Sequence, residues 1–143
     1  MSRTTEGEIL DRILEIQRRM HAHFEETAEA FGLTPAQAHA LHFFQDPKPM
    51  RAAAERMRCD ASYITHLTDD LEALGLAERR PDPADRRVKQ VSLTEKGRAK
   101  HRELLEALKV SSPAFSDLDA DERRQFLDLL RKMSVDMEWA VPA

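Results

Sequence analysis

The sequence is poor in the residues on which several protein classes depend. It has one cysteine, four glycines and one tyrosine among 143 residues. The single cysteine, Cys59, excludes an intrachain disulfide framework and a zinc site made of cysteines alone. So few glycines leave little room for the loops that bind nucleotide phosphates. No apolar run reaches the ~18 residues of a membrane span and the N-terminus lacks an apolar signal core, so we expect a cytoplasmic protein.

Length and composition indicate one globular domain over residues 1–143. Hydrophobic residues make up 41% and charged residues 34%, and the net charge is −4. The charge is uneven, because residues 48–102 contain 13 Lys and Arg against 9 Asp and Glu, whereas the segment on either side is net acidic. A basic middle between acidic flanks is typical of a DNA-contacting core.

Apolar spacing predicts a long first helix from about residue 6 to residue 31. Its stripe recurs every three or four residues and consists of Ile9, Ile13, Ile16, Met20, Phe24, Thr27 and Phe31. Gly32 is the predicted stop, because glycine adopts the left-handed cap at low cost. The helix would be ~39 Å long, which is more than a small domain needs for itself.

Three shorter helices follow, each marked by its first residues. Thr34-Pro35-Ala36-Gln37 opens the second helix with a capping box, and this helix is predicted to run to Phe44. The third helix follows Pro49. The fourth begins after the cap Asp60 and ends at Gly75.

The periodicity after the fourth helix is that of a hairpin. Residues 76–80 and 88–93 are predicted strands, and the segment 81–87, rich in proline and aspartate, is the turn between them. We expect Asp85 in this turn to orient an arginine through a salt bridge.

Two more helices complete the predicted fold. Thr94 caps the fifth helix, which ends near residues 111–113, and Asp119 with Glu122 opens the last one. The fold class is therefore mainly α with a small β-hairpin, and it contains six helices.

Two helices joined by a short turn and followed by a hairpin form the outline of a winged helix-turn-helix. In such a unit the second helix enters the major groove, and the hairpin, or wing, reaches phosphates or the minor groove. The fourth helix leaves a polar set away from the core: Ser62, Tyr63, Thr65, His66, Asp69 and Asp70. Most exposed helix faces are merely solvated. However, an isolated hairpin has no structural need for five cations, namely Arg79, Arg80, Arg86, Arg87 and Lys89. The acidic pair Asp69-Asp70 is expected to pack or pair internally.

Two segments of this region carry a resemblance to a known family. One is Cys59–Thr65 with Leu67 and Leu71–Leu76, and the other is Pro81–Arg87 followed by Val91–Gly97. They resemble, respectively, the recognition helix and the wing of the MarR family of bacterial transcription regulators. The combined motif spans about residues 50–100, and the order of elements extends the resemblance over nearly the whole chain.

The resemblance implies a homodimeric repressor of transcription that binds a palindromic operator in double-stranded DNA. The first and last helices, residues 6–31 and 113–140, would interleave between protomers, and residues 34–100 would form the DNA-binding lobe. The resemblance assigns to the major groove Ser62, Tyr63, Thr65 and His66, and to the minor groove the wing-tip residues Arg86 and Arg87. We add Arg79 to the predicted DNA-binding residues and expect Trp139 to be a dimer or core contact.

The resemblance also implies a small aromatic or anionic effector bound between the first helices and the lobe. The candidate pocket combines aromatic and imidazole side chains: His21, Phe24, His39, His42 and Phe43. Ordinary packing between helices is an equally good explanation of these residues.

Other functions receive less support from the sequence. His39 and His42 have a spacing that can bind one metal ion, so a zinc-responsive regulator is an alternative. However, no further ligand lies at a recognisable spacing from them. We therefore predict no metal or cofactor. Cys59 is expected to pack rather than to sense oxidants. No catalytic motif is present, so we expect no enzyme. A winged helix used only as a protein-interaction module remains an alternative, which the arginine-rich wing disfavours.

Overall fold

Six helices and three short strands make up the part of the chain that the structure, a computed structural model, describes, residues 4–110 and 114–133. In chain order they are α1 (Thr5–Ala30), α2 (Pro35–Phe43), β1 (Lys48–Pro49), α3 (Met50–Met57), α4 (Ala61–Ala73), β2 (Ala77–Pro81), β3 (Lys89–Leu93), α5 (Glu95–Val110) and α6 (Ala120–Lys132). The order confirms the predicted fold class, mainly α with a β-hairpin wing.

Several helices begin or end at the capping residues and glycines that the sequence predicted. Gly32 and Gly75 both have a φ of 71°, the conformation that glycine adopts without strain. The capping box between Thr34 and Gln37 is present with both of its hydrogen bonds. The prediction for Asp60 is wrong in one respect, because the residue occupies the N-cap position of α4 but its side chain makes no capping hydrogen bond.

The three strands form one antiparallel sheet in the order β1-β3-β2. In the hairpin, Ala77 lies opposite Leu93, and at the other edge Lys48 lies opposite Val91. The sequence did not predict β1, because two residues are too short to show an alternating pattern. Its second residue, Pro49, is tolerated because an edge strand does not need every backbone donor.

The hydrophobic core lies within the lobe, where α2, α4 and α5 meet the sheet. Its largest side chains, each at most 2% exposed, are Phe44, Leu41, Ile64, Leu71, Leu104 and Val91. These residues hold one face of α4 against the core and leave the opposite face open.

The two terminal helices keep apolar surface that the described chain does not cover. The predicted stripe of α1 is exposed in its first part, with Ile9 at 51%, Ile13 at 43% and Met20 at 42% exposure. Among the described residues of α6, none is buried. Neither α1 nor any other described helix is both long and apolar enough to cross a membrane. Part of the predicted last helix, residues 113–140, lies outside the described residues, as does Trp139.

The first turn of α5 sits directly on the end of the loop that follows α4. Thr94 caps α5 as predicted, accepting from the backbone N–H of Gly97 at 3.1 Å, and its own hydroxyl donates to the carbonyl of Gly75 at 2.6 Å. A Cβ at Gly97 would overlap the carbonyl oxygen of Leu76, which accepts the backbone N–H of Thr94. Glycine is therefore required at this position by close approach of two backbones.

Replacing Gly97 with alanine is expected to lower the free energy of unfolding by about 3 kcal/mol or more, because backbone must move to admit the methyl group. The matched control is Gly32→Ala, where an added Cβ meets nothing within 4 Å and only the left-handed conformation costs about 1 kcal/mol. Urea denaturation of both variants measures the difference. Equal losses would contradict the assigned contact.

Candidate nucleic-acid interface

The exposed face of α4 is polar and lies opposite its buried face. Ile64, Leu67, Thr68 and Leu71 are buried on the inner face. The outer face carries the predicted DNA-reading residues, all of them exposed: Ser62, Tyr63, Thr65 and His66. Tyr63 is 48% exposed, so an aromatic ring stands in solvent close to the helix N-terminus. The helix thus offers hydroxyl, phenol and imidazole groups on a single face near its positive end.

Arg79, at the base of the wing, is bound to α4 by several hydrogen bonds. Its guanidinium donates to Asp69 Oδ1 at 2.6 Å, to Glu72 Oε2 and to the carbonyl oxygen of Thr65 at 3.4 Å. Its backbone N–H donates to Glu72 Oε1 at 3.0 Å. With only 19% of its side chain exposed, Arg79 joins β2 to the middle of α4. We call Arg79, Asp69 and Glu72 the wing–helix bridge.

The wing–helix bridge changes the roles assigned to the predicted residues. The expectation that Asp69 pairs internally is confirmed, whereas the structure leaves Asp70 exposed. Arg79 is committed to two carboxylates of its own chain, so we now interpret it as a residue that positions the wing rather than one that contacts DNA. The sequence missed Glu72, although its place one turn after Asp69 was a usable sign that both carboxylates share one helix face.

Two aspartates shape the turn of the wing through backbone and side-chain hydrogen bonds. Asp82 accepts from the backbone N–H of Ala84 and from the amide of Gln90, both at 2.8 Å. Asp85 Oδ1 accepts from the backbone N–H of Arg87 at 3.1 Å. The predicted salt bridge from Asp85 to an arginine is therefore wrong, because the carboxylate is already used to fix the turn.

The cationic side chains of the wing differ in whether they form an ion pair within the protein. Arg80 pairs with Glu78 at 2.6 Å. Within residues 4–110 and 114–133, the guanidinium groups of Arg86 and Arg87 form no ion pair, and both residues are exposed at the tip. Lys89, at the start of β3, is likewise exposed and forms no ion pair among the described residues. These three side chains are the cations that the wing offers to an external anion.

The turn between α3 and α4 brings two unusual residues next to the recognition face. Arg58 is the one non-glycine residue with positive φ in the described chain, at 50°. Cys59 is half-buried and packs against the core, and burial, followed by the Asp60 carboxylate, raises the pKa of its thiol. A raised pKa leaves less thiolate, so the geometry supports the packing role expected for Cys59.

The five residues of the predicted effector pocket take part in separate local contacts. His21 lies 3.3 Å from Glu25 on α1, and Phe24 stacks on His39 with ring centroids 4.3 Å apart. His42 is hydrogen-bonded to His101. Phe43 packs edge-on against Phe44 and beneath the ammonium of Lys48. An open groove lies elsewhere, between the end of α1, the start of α2 and the end of α4, lined in part by Glu29, Leu33, Asp70 and Leu74.

The described residues contain no group of three or more His, Cys, Asp or Glu side chains placed to hold a metal ion. His39 and His42, the pair behind the zinc alternative, each have an aromatic or imidazole partner instead. Nothing in this geometry favours the zinc alternative over the effector hypothesis.

Comparison with known proteins identifies the family. A model described as the MarR family matches residues 31–88, which include α2 to α4 and most of the wing. The HTH-type transcriptional repressor MdtR of Bacillus subtilis is 32% identical over 112 residues, covering 76% of this chain and 72% of MdtR. The chain belongs to the MarR family.

Other MarR-family comparisons agree with this assignment. The HTH-type transcriptional repressor NicR of Pseudomonas putida is 34% identical over 123 residues, covering 81% of this chain and 75% of NicR. The match to the regulator YkoM of B. subtilis spans 62% of that protein's length. The crystal structure of apo MarR from E. coli has the same fold, with a TM-score of 0.76 at 22% identity over 87% of this chain and 95% of that one. These relatives are named as transcriptional regulators, not as enzymes.

Removing the arginine of the wing–helix bridge tests its role in this MarR-family lobe. Arg79→Ala leaves two carboxylates without their partner and is expected to lower the free energy of unfolding by about 1–2 kcal/mol, since the bridge is partly solvent-exposed. It should also speed trypsin cleavage after Arg86 or Arg87, because the wing loses its attachment to α4. The control Arg80→Ala removes a neighbouring cation that is 70% exposed and is expected to cost less than about 0.5 kcal/mol. Identical behaviour of the two variants would show that the bridge does not hold the wing.

Proposed function

We propose that this MarR-family protein is a transcriptional repressor that binds a palindromic operator as a homodimer. The observation that carries the proposal is the placement of two DNA-facing elements on one lobe. The open polar face of α4 and the unpaired arginines of the wing tip are attached to each other by the wing–helix bridge. Helix α4 would enter the major groove while the wing reaches the adjacent minor groove. The protein would then act in the cytoplasm, where bacterial DNA lies.

The side chains on α4 suit direct reading of bases. Ser62 and His66 can donate and accept hydrogen bonds at base edges. Thr65 already donates its hydroxyl to the carbonyl of Ala61 at 2.9 Å, which leaves its methyl group and an oxygen lone pair for contact with DNA. Tyr63 adds an exposed aromatic surface for a thymine methyl group and a phenol for a phosphate or base edge. We therefore assign sequence discrimination to these four residues.

The wing tip suits the DNA backbone rather than the bases of the major groove. Arg86 and Arg87 are neighbours on a turn whose shape Asp82 and Asp85 fix, so both guanidinium groups are offered without an internal competitor among the described residues. Arginine binds phosphate through two parallel hydrogen bonds and is attracted by the negative potential of a narrow minor groove. We assign affinity, with little sequence preference, to this pair.

The exposed apolar faces of α1 and α6 support a dimer. On α6, Leu127, Leu129 and Leu130 are 42–57% exposed, Met133 at the C-cap is 52% exposed, and α1 adds the exposed part of its stripe. Apolar surface on this scale at both ends of one chain indicates a partner. A second copy of the chain is the partner that a palindromic site requires, because two-fold DNA symmetry matches two-fold protein symmetry. Its half-sites would be about 10 bp apart or a multiple of that spacing.

We further propose that a small aromatic or anionic effector releases the repressor. The candidate effector-contacting residues lie on α1 and α2: His21, Phe24, His39, His42 and Phe43. Their rings provide stacking faces and hydrogen-bonding nitrogens, as the Phe24–His39 stack illustrates. DNA binding requires the two recognition helices to stand about 34 Å apart, so a ligand that favours another spacing lowers the population able to bind.

The direct test of the function is fluorescence anisotropy of the purified protein with DNA from upstream of its own gene and with a scrambled duplex, at two salt concentrations. We expect saturable, preferential binding that weakens steeply as salt rises, because phosphate contacts release counterions. Equal, weak binding to both duplexes would move the search to selection from a random library. Absence of binding to every duplex at low salt would overturn the proposal in favour of a protein-interaction module.

Two substitutions in the same assay separate the wing from α4. Arg87→Ala should weaken binding to operator and scrambled DNA by a similar factor and reduce the dependence on salt. Tyr63→Ala should instead change the preferred base at one or two operator positions, at a cost of about 1–3 kcal/mol there. A base-specific effect of Arg87→Ala, or an unchanged preference in Tyr63→Ala, would contradict the assigned roles.

A charge placed on the exposed stripe of α1 tests the dimer. Ile13→Glu should shift the sedimentation-equilibrium mass from twice the 16.4 kDa chain toward a single chain, because a carboxylate would have to be buried between protomers. Ala22 lies nine residues later and thus on the opposite side of α1, so Ala22→Glu adds the same charge as a matched control and should remain dimeric. A monomeric wild type would exclude the arrangement.

A further inference from the structure

Two histidines far apart in the chain meet where α2 packs on α5. His42 Nδ1 lies 3.1 Å from His101 Nε2, and the ring centroids are 5.3 Å apart. His42 is exposed at the end of α2, whereas His101 is only 6% exposed. The contact therefore joins a ring that solvent reaches to a ring held inside the protein, across two helices.

This hydrogen bond exists only when the pair carries at most one added proton. One nitrogen must donate its N–H and the facing nitrogen must present a bare lone pair. If both rings are protonated, two N–H groups and two positive charges face each other across 3.1 Å, and the attraction becomes a repulsion. A contact of this type is stable in neutral solution and unstable in acid.

The groups nearest to the pair are two further histidines and one arginine. His39 lies one turn before His42 on α2, and His21, which is paired with Glu25, faces His39 from α1. On α5, Arg98 lies one turn before His101 and donates to the carbonyl of Gln45 just beyond α2. In the part of the chain that the structure describes, neither His42 nor His101 has a carboxylate partner that would stabilise its charged form.

The pKa values of His101 and His39 are both shifted toward the neutral form of the ring. Burial, and then the proximity of His42, lowers the pKa of His101. Burial, then His21 and then His42 lower the pKa of His39. A histidine whose folded-state pKa is depressed favours the folded arrangement while neutral. That contribution is lost as the pH falls through the ordinary histidine value near 6.5 toward the lowered folded value.

We propose that the His42–His101 pair is a pH-sensitive contact between α2 and α5, which opens when both rings are protonated and thereby weakens operator binding. Helix α2 begins the lobe, and α5 packs against both α2 and α1, the helix whose exposed stripe is assigned to the dimer. Opening at this junction changes how the lobe is held on the scaffold that sets the spacing of the recognition helices. The inference rests on the proposed function, and it names the proton as one regulator of that function.

His66 is a second histidine through which acid can change operator binding. It is exposed on the outer face of α4, where protonation adds a positive charge but removes the ring nitrogen that accepts a hydrogen bond at a base edge. The contribution of His66 is therefore measured separately, as the ratio of operator affinities at two pH values in a His66→Gln variant.

The first arm of the test uses the full-length protein without DNA. Imidazole and backbone-amide nitrogen NMR spectra are recorded between about pH 8 and about pH 5, the range in which histidine titrates. We expect amides of α2 near His42 and of α5 near His101 to shift with one common midpoint. His42→Gln, which keeps a hydrogen-bonding amide on an exposed residue but cannot titrate, should remove that common transition. Circular dichroism at each pH verifies that helix content is retained.

The second arm measures operator binding by fluorescence anisotropy at constant ionic strength over the same pH range. We expect the wild type to bind roughly tenfold more weakly at about pH 5 than at about pH 7.5, the order of effect that one or two linked protons give. His42→Gln should bind almost independently of pH, and so should His101→Gln if it folds. His66→Gln is expected to change operator affinity at every pH, because His66 is assigned to base reading, but the ratio of its affinities at the two pH values should equal that of the wild type.

The two arms distinguish failure of this inference from failure of the proposed function. Constant wild-type affinity over the range, or His42→Gln weakening as the wild type does, would overturn the pH-sensitive contact while leaving the regulator intact. If no duplex binds at any pH, the proposed function fails. The NMR arm then decides whether the contact opens, and independent titration of α2 and α5 would overturn it.

Discussion

The arrangement of the DNA-facing lobe depends on one arginine that joins two elements. A hairpin whose inner residues are buried can still pivot about its strands, and α4 is held by the core on only one face. Arg79 connects them by placing its guanidinium between Asp69 and Glu72, while its own backbone N–H binds Glu72 as well. Because both carboxylates lie on α4 and Arg79 lies on β2, the wing and the recognition helix are held together as one unit. The base contacts of α4 and the phosphate contacts of the wing can then keep a constant position relative to each other on the DNA.

The same interaction explains how an acidic protein can serve as a DNA-binding protein. The net charge is −4, and the carboxylates of α4 stand on a helix that would enter DNA. Asp69 and Glu72 share the positive charge of Arg79, and Asp82 and Asp85 accept hydrogen bonds within the turn of the wing. The guanidinium groups of Arg86 and Arg87 at the tip form no ion pair among the described residues and stay available to DNA. The local pairing of charged side chains, more than the net charge of the protein, therefore decides which charged groups face DNA.

Helix caps, glycine stops and hairpin periodicity are local properties, so Gly32, Gly75, the Thr34 capping box and the wing could be predicted from the sequence. The face of α4 that carries Tyr63 and Thr65 also followed from the apolar spacing of its opposite side. Long-range pairing could not be obtained in this way. The choice of Glu72 as a partner of Arg79, the meeting of His42 with His101 across 59 residues, and the two-residue strand at Lys48 all depend on how distant segments pack. The exception was Asp69, since an acidic pair at Asp69 and Asp70 does not favour phosphate and was therefore expected to pack or pair internally, as Asp69 does with Arg79.

In the proposed complex the wing tip lies in the minor groove beside each half-site while α4 occupies the major groove. This placement can be tested by DNA cleavage from an iron–EDTA group attached to a single cysteine at the wing tip, in Ala84→Cys made on a Cys59→Ser background. We expect two cleavage clusters, one beside each half-site, related by the two-fold axis of the operator and offset across the strands as minor-groove attack requires. The same group attached to Lys109→Cys on α5, in the same background, should give no such clusters. Cleavage that is absent from the wing-tip conjugate, or the same from both positions, would contradict this placement of the wing.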